Sequence, residues 1–232
     1  TVSNKKKPIS NTYYLDGNAL AKKAVIKYLG IIIDNKLTFS QHIKDKSRKA
    51  TTVLNMLRRN LYFAPKSVKS IAYTSCVLPI MEYGSSCWSP TNNKLLNELE
   101  RVHHNAAKFV SNFYPKKGHY EKFSISKLMK NLNWSTLEQR RQEARMTMAF
   151  KILKGHVILD PQMLPKLLYQ RPLRKCNNVK VGPENQLIEP DSRLDVTSHT
   201  FFYSAPKLWN NNVTPIQANS PSVDAFKSHF SK

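Results

Sequence analysis

Acidic residues, glycine and cysteine are all scarce in this sequence, and each shortage closes off a class of chemistry. Fifteen Asp and Glu stand against 37 Lys and Arg. No two Asp are adjacent, and the one close pair, Asp191 and Asp195, sits in a stretch broken by proline and asparagine. Two-metal phosphoryl chemistry needs carboxylates fixed on rigid elements, so a nuclease or polymerase centre has no support here. Six glycines are too few to hide a glycine-rich phosphate loop, and no Gly-x-Ser-x-Gly elbow occurs. Three cysteines, Cys76, Cys87 and Cys176, stand far apart without a CxxC pair. That pattern argues for reduced, intracellular thiols and against a disulfide framework or a zinc finger. No run reaches the roughly 20 apolar residues of a membrane span, and no lipidation motif is present. The first eight residues, Thr1 to Pro8, have the basic start of a signal peptide without its apolar core. They also lack an initiator Met, and the expectation is a fragment.

What remains is a strongly basic chain with enough apolar residues, 41%, for a folded core of one large or two small domains. A formal charge of +22 repels itself in a compact state and attracts phosphate backbones, so nucleic acid is the expected partner. A basic protein whose charge only confers solubility is the plainer alternative.

Residues 1 to 34 read as β-structure. Asp16-Gly17 between Thr12–Leu15 and Asn18–Leu20 signals a hairpin, because glycine takes positive φ without steric cost. A further strand is expected from Val25 to Ile33. Thr38 with Gln41 three residues on fits a capping box, which starts a helix near Phe39. Ile43, Ala50, Val53, Leu54, Leu57 and Leu61 then form one apolar stripe. Lys44, Lys46, Arg48, Lys49, Arg58 and Arg59 fall mostly off it, with Asp45 the only acid, giving a cationic outer face suited to phosphates.

Ser67 to Met81 reads as a mostly apolar central helix ended or kinked at Pro79. A tight aromatic turn, Glu82 to Trp88, follows, with Cys87 as a small core residue. Asn92 to Asn112 is the next helix, and its adjacent His103 and His104 point about 100° apart and cannot share a metal. At least one of them is expected on the polar face, within reach of phosphate. After a connection over Tyr114 to Glu121 comes a short helix from Ile125 to Leu132. Another opens at a Ser135/Glu138 capping box. Its stripe is Leu137, Ala144, Met148, Ile152 and Leu153, and Arg140, Arg141, Arg145, Lys151 and Lys154 give it a second cationic face. Periodicity fades from Gly155 to Thr200. An aromatic cluster, Phe201 to Asn210, and a closing helix, Ser222 to Phe230, end the chain.

Four blocks, in order, carry a resemblance to a known family: KYLGIIIDNKLTFSQHI from Lys27, LPIMEYGSSCW with LERVHHNAAKFV, LNWSTLEQRRQEARMTMAFKILKG, and FFYSAPKLWN with SPSVDAFKSHF. They resemble the C-terminal part of reverse transcriptases from non-LTR retrotransposons, the jockey-like group in particular. The resemblance implies a mainly α fold, with a helical thumb and C-terminal helical domain preceded by a small antiparallel β-hairpin left from an α+β polymerase palm. It divides the chain into a palm-end hairpin or primer grip (1–37), thumb (38–112), C-terminal helical domain (113–160), irregular linker (161–200) and aromatic end (201–232). Tyr28, Leu29 and Gly30 match the primer grip, and Asp34 matches a structural position, not a metal ligand. The implied function is that of an RNA-directed DNA polymerase fragment that holds template-primer through its backbone without the catalytic Asp residues. No catalytic or metal-binding residue and no cofactor is assigned to this chain, Mg2+ belonging to the full-length enzyme. Implied partners are an RNA:DNA hybrid or duplex and the upstream palm and fingers, with no membrane, in a nuclear setting. The other reading is a non-catalytic interaction module or an inactive mobile-element remnant.

Overall fold

The computed structural model describes residues 11–88, 92–113, 124–160, 183–191 and 198–230. The Tyr114 to Glu121 connection, most of the stretch from 161 to 200, Cys176 and Asp195 lie outside the described residues. The architecture is mainly helical with small antiparallel sheets near the N-terminus, as expected.

Strands β1 (Tyr14–Leu15) and β2 (Asn18–Ala19) pair antiparallel, with Tyr14 opposite Ala19. Asp16 and Gly17 turn between them at φ 49° and 78°, both in the left-handed region that a two-residue hairpin demands. The single strand expected over Val25 to Ile33 is instead a second hairpin, β3 (Val25–Tyr28) and β4 (Ile31–Asp34), with Tyr28 opposite Ile31. Gly30 at φ 81° makes the reversal possible, and Leu29 is held at φ 45°, a conformation that costs a non-glycine residue about 1 kcal/mol. Tyr83 offsets that cost: its hydroxyl donates to the Leu29 carbonyl at 3.0 Å, and its ring lies where a Cβ on Gly30 would come within 3.2 Å.

Helix α1 (Ser40–Asn60) follows β4 across a turn built by one carboxylate. Asp34 accepts the amides of Lys36, Thr38 and Phe39 at 3.0, 3.1 and 2.8 Å and the Thr38 hydroxyl at 2.9 Å. The expected Thr38/Gln41 capping box does not form, because Asp34 has taken the Thr38 side chain and Phe39 enters the helix at φ 53° without a side-chain cap.

The helix expected from Ser67 to Met81 is two: α2 (Lys66–Cys76) and α3 (Leu78–Glu82), with Pro79 in the first turn of α3, where its missing N–H costs nothing. Val68 and Ile71 of α2 are exposed, and its buried side chains are Lys69 and Tyr73. The turn from Glu82 to Trp88 packs on an aromatic as expected, with Trp88 buried and its indole N–H donating to the Tyr83 carbonyl at 3.0 Å. Cys87, expected in the core, is exposed, since Ser85 and Trp88 take the inward positions.

Helices α4 (Asn93–Val110), α5 (Ile125–Asn131) and α6 (Leu137–Leu153) match the expected segments. The capping box of α6 falls one residue later than expected, on Thr136 and Gln139. After a short 3-10 turn at Pro183–Asn185 come α7 (Phe201–Asn212), α8 (Pro215–Ala218) and α9 (Val223–Ser228), the last capped by Ser222.

Two cores result. Ile43, Leu54, Tyr73, Val77, Trp88, Leu99, Val102 and Phe109 gather from α1 to α4, joined by Leu137 at the start of α6. Met146, Ala149 and Phe150 of the same helix belong to the other core, with Trp209, Val213 and Phe226. Phe226 stacks on Phe150 at 4.5 Å and on Trp209 at 5.8 Å between ring centroids. Helix α6 therefore passes from one core to the other. The single stripe expected on it does not hold: Ala144 and Met148 are half-buried, while Arg141, Arg145 and Met146 are buried.

Candidate nucleic-acid interface

Helix α1 presents the basic surface. Its 21 residues span about 31 Å, close to nine base-pair steps of a duplex. Taking about 100° per residue, Lys44, Arg48 and Arg59 lie within an arc of about 60°, opposite the buried line of Ile43, Ala50, Leu54 and Leu57. Lys44, Arg48, Lys49 and Arg59 are exposed. Asp45 is shared by Arg48 at 3.2 Å and Lys49 at 2.7 Å, and exposed pairs at helical spacing are too weak to withdraw either base from a phosphate.

The other expected residues of α1 are committed elsewhere. Lys46 places its ammonium 5.2 Å from the centre of the Tyr83 ring, and partial burial followed by repulsion from Lys49 lowers its pKa. Arg58 donates from Nη2 to the Asn105 carbonyl of α4 at 2.9 Å.

Beside the N-terminal end of α1 stands the β3–β4 tip, where Tyr28 and Leu29 are 63% and 73% exposed. His42 ties that hairpin to the helix. Its Nδ1 accepts the Ile32 amide at 3.2 Å, its ring meets Trp88 edge-on at 5.1 Å, and burial, then Lys46, lowers its pKa to about 4. Sequence reading missed this residue, since a histidine one position before Ile43 gives no sign of which way it faces.

The second cationic face expected on α6 is not present. Arg140 is held by Glu82 through Nε and through Nη2 at 3.1 Å, and that hydrogen bonding raises its pKa. Arg141 and Arg145 are buried at 5% and 6% exposure, Lys151 is half-buried, and only Lys154 is exposed. A helix packed into two cores has no free side on which to array cations.

Of the paired histidines, His103 belongs to the core. It hydrogen-bonds the Tyr73 hydroxyl and the Ser135 carbonyl, stacks on Trp134 at 5.3 Å, and burial lowers its pKa to about 4. His104 is half-exposed and 4.0 Å from Glu100. Lys69, another buried group that sequence reading missed, reaches the Tyr62 carbonyl at 2.8 Å and the Asn112 side chain beside the Phe109 ring. Among the described residues no three His, Cys, Asp or Glu side chains converge on a metal-sized space. No helix there is long and apolar enough to cross a membrane.

The described residues thus form a helical protein with one outer helix set with bases beside an exposed hairpin tip. Comparison with curated proteins gives a particular relative: the probable RNA-directed DNA polymerase from transposon BS of Drosophila melanogaster, 26% identical over 173 residues. The aligned region is 72% of this chain and 18% of that protein, so the chain spans under a fifth of its relative. The two are distantly related. No family model and no solved structure matches.

Proposed function

We propose that this chain is the part of a non-LTR retrotransposon reverse transcriptase that holds the template-primer, with α1 as a thumb helix lying along the duplex and the Tyr28-Leu29-Gly30 tip as a primer grip. The observation that carries the reading is the row of Lys44, Arg48, Lys49 and Arg59 on the solvent side of α1, in a chain related to a transposon polymerase. These groups meet phosphates and carry no base-reading geometry, so binding is set by the duplex backbone and depends little on sequence. Chemistry is assigned to a palm outside this chain. The exposed apolar residues of the two hairpins, Tyr14, Leu15, Ile26 and Leu29 among them, fit a surface that such a palm covers.

Fluorescence anisotropy with a labelled RNA:DNA hybrid tests the reading. The logarithm of the affinity should fall linearly with the logarithm of salt concentration, with no more than a few-fold difference between unrelated sequences. Affinity that is insensitive to salt contradicts it.

A further inference from the structure

Arg141 and Arg145 lie one helical turn apart on α6, both more than nine-tenths buried, and both line a cavity of about 690 Å³ between α4, α6 and α7. Arg145 is held in place there, donating from Nη1 to the Ser204 hydroxyl at 2.8 Å and from Nη2 to the His199 carbonyl at 3.2 Å. Its Nε is buried without a partner, and so is Nη2 of Arg141. No carboxylate forms an ion pair with either side chain among the described residues. Two buried guanidinium groups with Cβ atoms about 6 Å apart repel each other and have given up their water, an arrangement that a shared anion relieves. Burial, and then Arg141, lower the pKa of Arg145 to about 10, and burial lowers that of Arg141 too, opposed in part by Glu100, Glu138 and Glu82, none of which forms an ion pair with it.

We propose that this cavity is an anion site that takes a phosphate group, with the two guanidinium forks of Arg141 and Arg145 as its donors. A phosphate dianion balances two positive charges, and its three terminal oxygens suit planar forks. The rim narrows the ligand further. Among the described residues Glu138, Glu189 and Asp191 line the mouth with a single lysine, Lys207, and all four are exposed. A continuous nucleic-acid backbone laid across that mouth would meet three carboxylates. A phosphate entering end-on passes them and reaches the cations, so the site selects a terminal or free phosphate over a phosphodiester within a strand. It is independent of the basic face of α1 and of the function proposed for it.

The test uses the full chain, with inorganic phosphate as probe against chloride at matched ionic strength. Phosphate at a hundredfold excess over its Kd should raise the melting temperature of the wild type by about 5 to 10 °C. Arg141→Met should lose this rise and, in chloride, melt no lower than wild type, because it removes a buried, unpaired charge. If Arg141→Met does not fold, Arg141→Lys, which keeps the charge and loses the fork, should bind phosphate about 10-fold or more weakly. A wild type that does not respond to phosphate overturns the proposal, as does an equal response in the Arg141 variant. Oligonucleotides with and without a 5′-phosphate separate the sources. Tighter, Arg141-dependent binding of the phosphorylated strand identifies a strand terminus. Phosphate binding that ignores the strand end identifies a free phosphate.

Discussion

Asp34 concentrates the connection between sheet and helix in one side chain. Burial pushes its pKa up, but the hydrogen bonds from Thr38, Lys36 and Phe39 together outweigh that and leave it below the ordinary aspartate value. A carboxyl whose pKa is depressed on folding contributes stability above its unfolded value, near pH 4, and loses it as the pH falls further. Replacing Asp34 with Ala should cost about 1 to 2 kcal/mol at pH 7, the range of a lost helix cap, and much less at pH 3. Urea denaturation at the two pH values measures the difference. His42 and His103 act in a higher window. Each is buried neutral with a pKa near 4, against 6.5 in the unfolded chain, so the unfolded state binds more protons between those values. Acidification from pH 6.5 toward 4 should therefore lower the urea midpoint, and a His42→Asn, His103→Gln double variant should show a shallower fall. Phe63, at 95% exposure, has little packing to lose beyond an edge-on contact with its neighbour Tyr62 at 4.9 Å. Phe63→Ser should change stability by no more than about 0.5 kcal/mol in the same assay.

Element by element, what could be read in the sequence depended on how many neighbours each one has. Helix α1 buries one side only, so the spacing of Ile43, Ala50, Leu54 and Leu57 gave both its inward stripe and its cationic face. The Asp16-Gly17 hairpin was equally plain, because its turn chemistry is local. Leu29-Gly30 was hidden inside a β-branched run, where a leucine with positive φ is not expected and is held by Tyr83, 54 residues away. Helix α6 was the least legible. Its arginines look like a surface series, and only the arrival of α7 opposite α4 encloses Arg141 and Arg145. Because Phe150 sits in the second core against Phe226, Phe150→Ala should destabilise by about 3 to 5 kcal/mol, as large-to-small changes of buried aromatics do. A cost below about 1 kcal/mol would show that α6 is not the spine of that core.

Across the whole molecule, charge and apolar surface are distributed unevenly. The interior is carried by helices, whereas the N-terminal hairpins leave Tyr13, Tyr14, Leu15, Leu20 and Tyr28 more than half exposed. Isolated two-stranded ribbons are marginal, so amides of β1 and β2 should exchange with solvent far faster than those of α4, whose Leu99, Val102 and Phe109 lie in the core. With a net charge of +22, some attraction to any polyanion is assured, and affinity alone cannot establish a built surface. The salt dependence of hybrid binding can, when compared between two variants of equal charge. In one, Lys44, Arg48 and Arg59 become Gln; in the other, Lys66, Lys94 and Lys127, exposed on other helices, are changed in the same way. The account predicts that the slope of log affinity against log salt drops by about 2.7 in the first variant, three phosphate contacts at about 0.9 each, and by well under 1 in the second. Equal losses in both would contradict it.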